Sequence, residues 1–275
     1  MATVREWLSR PELKFVPRVR PSQVQMAEAC EEIMRDGGIA LIEAPTGTGK
    51  SLGYSLPALL SGKRTVISTG KKALQQQLIG QDLPHMVQTV QPAPIAILKG
   101  KTNYVCRLRW EEFQGNAGSF LSATDERAFE EWLEEDLTGD LSDWGHMPWL
   151  GQVRVGECVA KHCEHAENCG YVFTKLRARA AQLLVVNHAM LGYDLARGGV
   201  KMFGQYDVLV IDEAHAARNF FRDAVSLHLT PRQPELLGRA LKDTPYAPPE
   251  AFGDAFKVLF SALPNREAKL ELSKP

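Results

Sequence analysis

Five short apolar runs rich in β-branched residues stand out along the sequence, and each has the length of a buried strand. The runs are Ile39–Ala44, Arg64–Thr69, Pro94–Leu98, Gln182–Asn187 and Tyr206–Ile211. Apolar residues at helical spacing predict helices over Gln23–Arg35, Lys50–Leu60 and Lys72–Ile79. Strands that alternate with helices in this order predict an α/β fold with a parallel sheet.

The alternation of strands and helices is interrupted after Leu98 for far longer than the few residues that usually join two elements. We therefore predict an inserted domain over residues 101–182, which separates two parts of the sheet domain, residues 1–100 and 183–215. Four of the five cysteines and an acidic stretch lie in this insert. Residues 216–275 contain helical patches at Leu236–Leu241 and Phe252–Leu263 but no further strand run.

The composition narrows the class of protein. The chain has 275 residues, of which 44% are hydrophobic and 24% charged, so it is expected to fold as a globular protein. No apolar stretch approaches the length of a membrane span and the N-terminus lacks a signal-peptide pattern, so we expect a cytoplasmic protein without membrane contact. A net charge of -1 means that any contact with nucleic acid must come from local basic patches.

A phosphate-binding loop follows the first apolar run. The residues Ala44-Pro-Thr-Gly-Thr-Gly-Lys-Ser51 match G-x-x-x-x-G-K-[ST], except that alanine replaces the first glycine. Lys50 is expected to reach the β- and γ-phosphates of a nucleotide, and the Ser51 hydroxyl is expected to bind Mg²⁺. The residues expected to surround the phosphates are Thr46, Gly47, Thr48, Gly49, Lys50 and Ser51. The alternative is a glycine-rich turn before a helix.

The last apolar run ends in Asp212-Glu-Ala-His215, at the edge of a parallel sheet where ligands bind. Asp212 is expected to hold Mg²⁺ through its water shell, and Glu213 to orient and deprotonate an attacking water. Without the phosphate loop, a simple polar cap on the strand would explain these residues equally well. Together with the loop, they predict a nucleotide hydrolase in which Lys50, Asp212, Glu213 and His215 form the catalytic set.

These motifs, together with Arg20-Pro-Ser-Gln23, resemble the superfamily 2 nucleic-acid helicases. The resemblance implies that Gln23 contacts the adenine of ATP. Ser68-Thr69-Gly70, followed by Ala73–Leu78, is similar to the helicase motif that touches the phosphate backbone of a single strand, which makes Thr69 a candidate DNA contact. An ordinary turn between a strand and a helix is the alternative.

The cysteine spacing, C-x51-C-x4-C-x5-C over Cys106, Cys158, Cys163 and Cys169, suits a 4Fe-4S cluster or a zinc ion. Structural zinc sites usually show closely paired cysteines, which favours the cluster. His162 and His165 leave a mixed zinc site open, and unligated thiols are the third alternative. The fifth cysteine, Cys30, lies on the apolar face of a helix and is expected to be a packing residue.

The insertion of a cysteine-containing segment between helicase motifs resembles the arrangement in the XPD-like iron-sulfur helicases, and above all in the DinG branch. The matching segments are Asn103–Cys106, Cys158–Cys169, Val185–Leu191 and Asp212–His215. The resemblance implies a RecA-like first motor domain that uses ATP and Mg²⁺, a 4Fe-4S domain, and the beginning of a helical arch in residues 216–275. It also implies 5′ to 3′ movement on single-stranded DNA and a second RecA-like domain, so the sequence is expected to be part of a longer protein.

The resemblance leaves the biological setting open. The expected substrates are single-stranded, forked or hybrid nucleic acids in repair and replication, with single-strand binding protein or a CRISPR effector complex as partner. A CRISPR-associated DinG, a non-catalytic ATP-switched DNA-binding module and an ATP-linked electron carrier are the alternatives. Basic and aromatic residues near the cysteines are candidate strand contacts, although a solvated basic face or shielding of the cluster would also account for them. The candidates are Tyr104, Arg107, Arg109, Lys175 and Arg177.

Overall fold

The computed structural model describes most of the chain. The described residues are 3–13, 19–45, 47–116, 121–145, 147–156, 158, 162–199, 202–226 and 251–262. The chain divides into two compact units, Met1–Val225 and Ser226–Pro275.

The first unit is built on a four-stranded parallel sheet. Its strands are β1 Thr65–Thr69, β2 Ile95–Leu98, β3 Leu183–Asn187 and β4 Val208–Ile211. Their spatial order is β2-β3-β1-β4, with every neighbouring pair parallel. Four of the five apolar runs therefore form the predicted strands, and the α/β fold with a parallel sheet is confirmed. β1 lies between β3 and β4. Because the three strands are parallel, their C-terminal ends lie next to one another at one edge of the sheet.

Helices connect and cover the strands. Their bounds are α1 Val4–Leu8, α2 Pro21–Asp36, α3 Lys50–Leu60, α4 Lys72–Gln77, α5 Leu83–Thr89, α6 Arg107–Asn116, α7 Ala123–Glu135, α8 Leu150–Val153, α9 Gly170–Ala180, α10 His188–Ala196, α11 Ala214–Val225 and α12 Ala251–Ala262. A π-helical turn, Leu78–Asp82, joins α4 to α5, and 3₁₀ turns occur at Lys101–Asn103, Leu141–Trp144 and Ala166–Asn168. Within the described residues, no helix is long and apolar enough to cross a membrane.

The sheet is buried on both faces, as its continuous apolar strands require. On one face, Ile67 and Val185 pack with residues of α2, α3 and α5. On the other face, Val66 and Val186 pack with residues of α9 and α10. Because side chains alternate across a strand, neighbouring residues of each strand serve opposite layers. The first unit is therefore a three-layer arrangement with the sheet in the middle.

The prediction of a strand over Ile39–Ala44 is wrong. Residues 39–45 adopt no regular structure, and Ile39 and Leu41 are 98% and 94% exposed. The apolar pattern indicates burial, but a strand also needs a neighbour to satisfy its backbone hydrogen-bonding groups. No described strand pairs with residues 39–44, and the sheet ends at β4 on this side.

The insert has a hydrophobic core of its own, as a separate small domain requires. The core is aromatic, and its buried residues are Val105, Trp110, Phe113, Phe129, Leu133, Leu141, Trp149, Leu150 and Val153. Its expected C-terminal boundary shifts, however, because Ala178 and Ala181 pack in the core of the sheet domain. Helix α9 therefore covers the sheet and does not belong to the insert.

The expected third segment also begins later than residue 216. Helix α11 packs on α10, where a Cβ atom added to Gly192 would lie 3.0 Å from the Cβ of Ala224. The first unit accordingly extends to Val225. In the second unit, α12 matches the predicted helical patch Phe252–Leu263, while the patch Leu236–Leu241 lies outside the described residues.

Candidate nucleotide site and nucleic-acid interface

The phosphate loop leads directly into α3. Gly47 and Gly49 adopt φ values of 77° and 76°, a left-handed conformation that favours glycine. The Thr48 hydroxyl donates a hydrogen bond to the carbonyl of Pro45 at 2.8 Å, and the carbonyl of Gly49 accepts the first helical bond from Gly53 at 3.1 Å. The loop therefore presents the positive N-terminus of α3, the usual site for a phosphate. Thr46 lies outside the described residues.

Helix α2 supports the loop from behind. Arg20 Nη1 donates to the carbonyl of Gly47 at 2.5 Å, and Gln23 Nε2 donates to the carbonyl of Gly49 at 3.2 Å. Gln23 is fully buried, and its Oε1 atom has no hydrogen-bond partner. A Cβ atom on Gly49 would lie only 2.3 Å from Gln23 Nε2, so glycine is required there. The structure makes Gln23 a support of the loop and gives it no exposed surface for an adenine.

Lys50 and Ser51 occupy the first turn of α3. Lys50 Nζ donates to the carbonyl of Ala44 at 3.3 Å, a long hydrogen bond that a phosphate could replace. Ser51 lies near Asp82, at the end of the π-helical turn, and Gln77 Nε2 donates a hydrogen bond to the Asp82 carboxylate at 3.1 Å. Burial raises the pKa of Asp82 above its usual value. Asp82 belongs to no recognised motif, so sequence reasoning missed this acidic neighbour of the loop.

Asp212 and Glu213 follow the last residue of β4. The backbone N–H of Asp212 donates to the carbonyl of Ser68 at 2.9 Å, which continues the pairing of β4 with β1. Asp212 is only 8% exposed, and burial raises its pKa while the nearby charge of Lys50 opposes this. A buried carboxylate needs a cation or hydrogen-bond donors. The position of Asp212 near Lys50 therefore fits a site for Mg²⁺.

Glu213 has an unusual backbone conformation and a partner that the sequence did not reveal. Its φ is 51°, and among the described residues it is the only non-glycine residue with a positive φ. Such conformations are costly and concentrate at functional sites. Lys71 Nζ lies 2.7 Å from Glu213 Oε1, and this hydrogen bond lowers the pKa of Glu213. His215 is exposed in the first turn of α11.

A buried histidine lies behind these residues. His188 Nδ1 is hydrogen-bonded to Ser68 Oγ at 2.8 Å, and its ring lies 5.7 Å from that of Phe220. His188 is fully buried, and burial lowers its pKa, which favours the neutral form. It connects the end of β1 with α11. The sequence contained this histidine in a family segment but gave no reason to assign it to the site.

The cysteines of the insert interact electrostatically with one another or with a shared neighbour, Tyr171. Cys106 precedes α6 and Cys169 precedes α9. Burial raises the pKa of Cys106, with a smaller contribution from the charges of Cys163 and Cys169. Burial likewise raises the pKa of Tyr171, with contributions from Cys158 and Cys169. None of these cysteines forms a disulfide. The described part of the chain contains no group of three His, Cys, Asp or Glu side chains already arranged around a metal, although four thiols are a donor set that suits an iron-sulfur cluster.

Two family profiles match consecutive parts of the chain. The DEAD/DEAH box helicase profile matches residues 22–145, and the DEAD_2 profile matches residues 151–233. The chain is 32% identical over 228 residues to the ATP-dependent DNA helicase YoaA of Haemophilus influenzae, and the match covers 78% of this chain and 36% of that protein. It is 29% identical over 246 residues to the ATP-dependent helicase DinG of Mycobacterium tuberculosis, covering 77% and 36% respectively. The chain therefore carries matches to the DEAD/DEAH box helicase and DEAD_2 profiles and is similar to the DinG-type helicases.

These matches agree with the resemblance to DinG-type helicases that the motifs predicted. A third relative, the 3′-5′ exonuclease DinG of Bacillus subtilis, is 32% identical over 226 residues, which cover 78% of this chain and 24% of that protein. The chain thus spans about a quarter to a third of the length of these DinG-type relatives. ATP and Mg²⁺ fit this family, and the phosphate loop and Asp212 are the residues that would hold them.

Two of the six residues predicted to contact a nucleic-acid strand are buried. Tyr104 is 1% exposed, its ring lies 5.3 Å from that of Tyr171, and its hydroxyl accepts a hydrogen bond from the backbone of Lys99 at 3.0 Å. It therefore offers no free face to a base. Thr69 is fully buried, and its hydroxyl accepts a weak bond from the backbone N–H of Lys71 at 3.4 Å.

The four basic candidates remain at least partly exposed. Arg107 is committed to the fold, because it donates to the carbonyls of Asn168 and Leu133 at 2.9 and 2.7 Å. Arg109 packs against Gly156, where an added Cβ would lie 2.4 Å from its guanidinium. Lys175 and Arg177 lie over aromatic rings of their own helix, α9. Of these four, only Arg107 has a side-chain hydrogen bond to a backbone carbonyl among the described contacts.

Proposed function

We propose that the protein is an ATP-dependent DNA helicase of the DinG type, which couples ATP hydrolysis to 5′ to 3′ movement along single-stranded DNA. The observation that carries this proposal is the meeting of the phosphate loop with the end of β4, where Lys50 and the buried Asp212 interact electrostatically. That combination belongs to nucleotide hydrolysis, and the family supplies the nucleic-acid substrate. We also propose cytoplasmic action.

Each residue has a role that follows from its chemistry. The N-terminus of α3 and the ammonium of Lys50 bind and orient the phosphates. Ser51 and Asp212 would hold Mg²⁺, which supplies charge neutralisation when it is bound. Glu213 orients the attacking water and accepts its proton. Arg20 and Gln23 fix the loop through its carbonyls, so the backbone N–H groups are already oriented for a phosphate.

We propose that Cys106, Cys158, Cys163 and Cys169 hold a 4Fe-4S cluster in the insert. The chemistry of four thiols within one small insert supports this, as do the electrostatic interactions of Cys106 with Cys163 and Cys169. The cluster would connect the start of α6 to the start of α9, and with it the insert to the sheet domain.

Several finer features complete the proposal. The RecA-like domain comprises residues 1–100 and the chain from α9 to α11, the cluster domain forms the insert between these two parts, and the arch begins in the last part of the chain. Arg109, Lys175, Arg177 and Lys71 are the basic residues that we propose for strand contact. The substrates are single strands, forks, displacement loops and RNA-DNA hybrids, with single-strand binding protein or a CRISPR effector complex as partner.

The hydrolysis step is tested by measuring ATP turnover in the full-length protein with and without oligo(dT). We expect turnover that depends on DNA, and a loss of at least about 100-fold in Glu213→Gln, the range that general base catalysis contributes. Glu32→Gln, an exposed carboxylate of α2, is the matched control and should retain wild-type turnover. DNA binding without turnover, unaffected by Glu213→Gln, would instead support an ATP-switched binding module.

The direction of movement along DNA and the presence of the cluster need separate measurements. Duplexes with a 5′ tail should be unwound and those with a 3′ tail should not. Anaerobically purified protein should contain about four iron and four sulfide per chain, and Cys158→Ser should lose them. Stoichiometric zinc, or no metal, would refute the cluster while leaving the ATPase proposal intact. A reversible redox step of the cluster linked to nucleotide would favour an electron carrier.

A further inference from the structure

The ion pair between Lys71 and Glu213 connects the segment proposed to contact nucleic acid with the residue proposed to act in ATP hydrolysis. Lys71 follows the Ser68-Thr69-Gly70 segment at the end of β1, and Glu213 follows Asp212 at the end of β4. Lys71 Nζ and Glu213 Oε1 are 2.7 Å apart. The carboxylate proposed as the base for hydrolysis is thus bound by a cation from the segment proposed to meet a nucleic-acid strand.

The backbone around this pair fixes both partners. Ser68 pairs with Ile211 in the sheet, and the carbonyl of Ser68 accepts a hydrogen bond from Asp212 N–H at 2.9 Å. Gly70 lies against His188, since an added Cβ would be 3.2 Å from its ring. The two residues therefore leave adjacent strands from fixed positions and face each other.

The two partners differ in accessibility. The Lys71 side chain is 65% exposed, whereas the Glu213 side chain is 19% exposed. A phosphate group in solution can therefore reach the ammonium while the carboxylate stays in the site. An exposed ion pair contributes only about 0–1 kcal/mol, so a phosphate can exchange for the carboxylate at low cost.

We propose that Lys71 restrains Glu213 in the absence of nucleic acid, and that a backbone phosphate of a bound single strand takes over Lys71 and releases Glu213 to orient the attacking water. The inference rests on the proposed role of Glu213 as base. The ion pair occupies one acceptor site of Glu213 Oε1 and fixes the orientation of the carboxylate, so the group is not free to turn toward the attacking water. Lys71 is a positioning residue in this scheme, because it acts through Glu213 and does not contact the nucleotide.

Turnover of ATP by Lys71→Ala, with and without oligo(dT), tests the proposal. In the full-length protein we expect the DNA-independent kcat to rise about threefold to fivefold, the factor that corresponds to an ion pair of up to about 1 kcal/mol. KM for ATP should be unchanged, because the phosphate contacts are unaltered. Stimulation by oligo(dT) should fall by a similar factor. Lys71→Arg keeps the charge and should restore the low basal rate.

Lys72→Ala is the matched control, since Lys72 is the adjacent exposed lysine of α4 and should leave the basal rate and its stimulation unchanged. A basal rate of Lys71→Ala equal to or below that of the wild type would overturn the restraint, even if DNA binding weakened. An equal rise in Lys72→Ala would reduce the effect to general surface charge and would also overturn it.

A second measurement does not depend on turnover. In protein labelled with ¹⁵N-lysine, the Lys71 ammonium signal should shift in Glu213→Gln and should shift again on addition of oligo(dT) to the wild type. No response to oligo(dT) would refute the exchange. Retention of full hydrolysis by Glu213→Gln would refute the proposed base itself, so the two failures are distinguishable.

Discussion

Arg64 is the residue whose replacement should most clearly destabilise the sheet domain away from the nucleotide site. It precedes β1, and its guanidinium donates to four backbone carbonyls, those of Ala178 at 2.9 Å, Ala181 at 3.1 Å, Phe203 at 2.6 Å and Gln205. Its charge thereby connects the end of α9 with the loop that leads to β4. Burial lowers the pKa of Arg64, but an arginine stays protonated.

Replacing Arg64 by alanine leaves four carbonyls without this donor. Each hydrogen bond contributes about 1 kcal/mol net, and water recovers part of the loss because Arg64 is only partly buried, so we expect a decrease of about 3 kcal/mol in the free energy of unfolding. Arg64→Lys should lose about half of that, since an ammonium cannot match a fork of five donors.

Urea unfolding followed by tryptophan fluorescence and circular dichroism measures these changes. Arg35→Ala is the control, because Arg35 is exposed and pairs only with its neighbour Asp36 among its described contacts; it should change stability by less than about 0.5 kcal/mol. The reasoning is refuted if Arg64→Ala unfolds within about 0.5 kcal/mol of the wild type, or if Arg64→Lys is as unstable as Arg64→Ala.

Three further predictions concern the insert and the first unit. Phe129→Ala removes a fully buried ring that contacts several tryptophans, so it should destabilise the insert by about 3–5 kcal/mol and change tryptophan fluorescence, while the exposed Leu137→Ala should do neither. Gly170→Ala places a Cβ 2.2 Å from a backbone carbonyl and should lower the melting temperature, whereas Gly151→Ala has open space and should not. Burial raises the pKa of Cys30 to about 11, so the thiol ionises in the unfolded chain before it ionises in the folded one. The free energy of unfolding should therefore fall by about 1.4 kcal/mol per pH unit between pH 9 and 11. Urea midpoints should show this fall in the wild type relative to Cys30→Ala over the same pH range.

The parts that sequence could predict are those specified locally. Apolar runs of strand length located β1 to β4 to within two residues, and α3 begins and ends where its periodicity indicated. The phosphate loop is likewise local, because its left-handed glycines lie within eight consecutive positions. The resemblance to DinG-type helicases followed from the order and spacing of such local motifs.

The contacts between distant segments were not predictable in the same way. Lys71 meets Glu213 only because β1 lies next to β4, and His188 meets Ser68 only because β1 also lies next to β3. That order is set by packing between layers and is not written in any single segment. Tyr104 shows the opposite error. A basic and aromatic stretch has the same sequence pattern whether its aromatic ring contacts nucleic acid or, as here, packs against Tyr171.

The run Ile39–Ala44 shows what a hydrophobic pattern specifies and what it does not. The residues of this run have the composition of a strand that is buried on both faces. Ile39 and Leu41 are nevertheless almost fully exposed, and the edge strand β4 is only half-buried. Exposing such side chains forgoes about 1.5–3 kcal/mol each, so the pattern indicates a preference for burial without supplying a neighbour. The phosphate loop nevertheless keeps its glycine conformations and its hydrogen bonds to Arg20 and Gln23. The loop is therefore held mainly by α2 and α3, and among the described contacts the segment before it adds only the carbonyls of Ala44 and Pro45, which accept hydrogen bonds from Lys50 and Thr48.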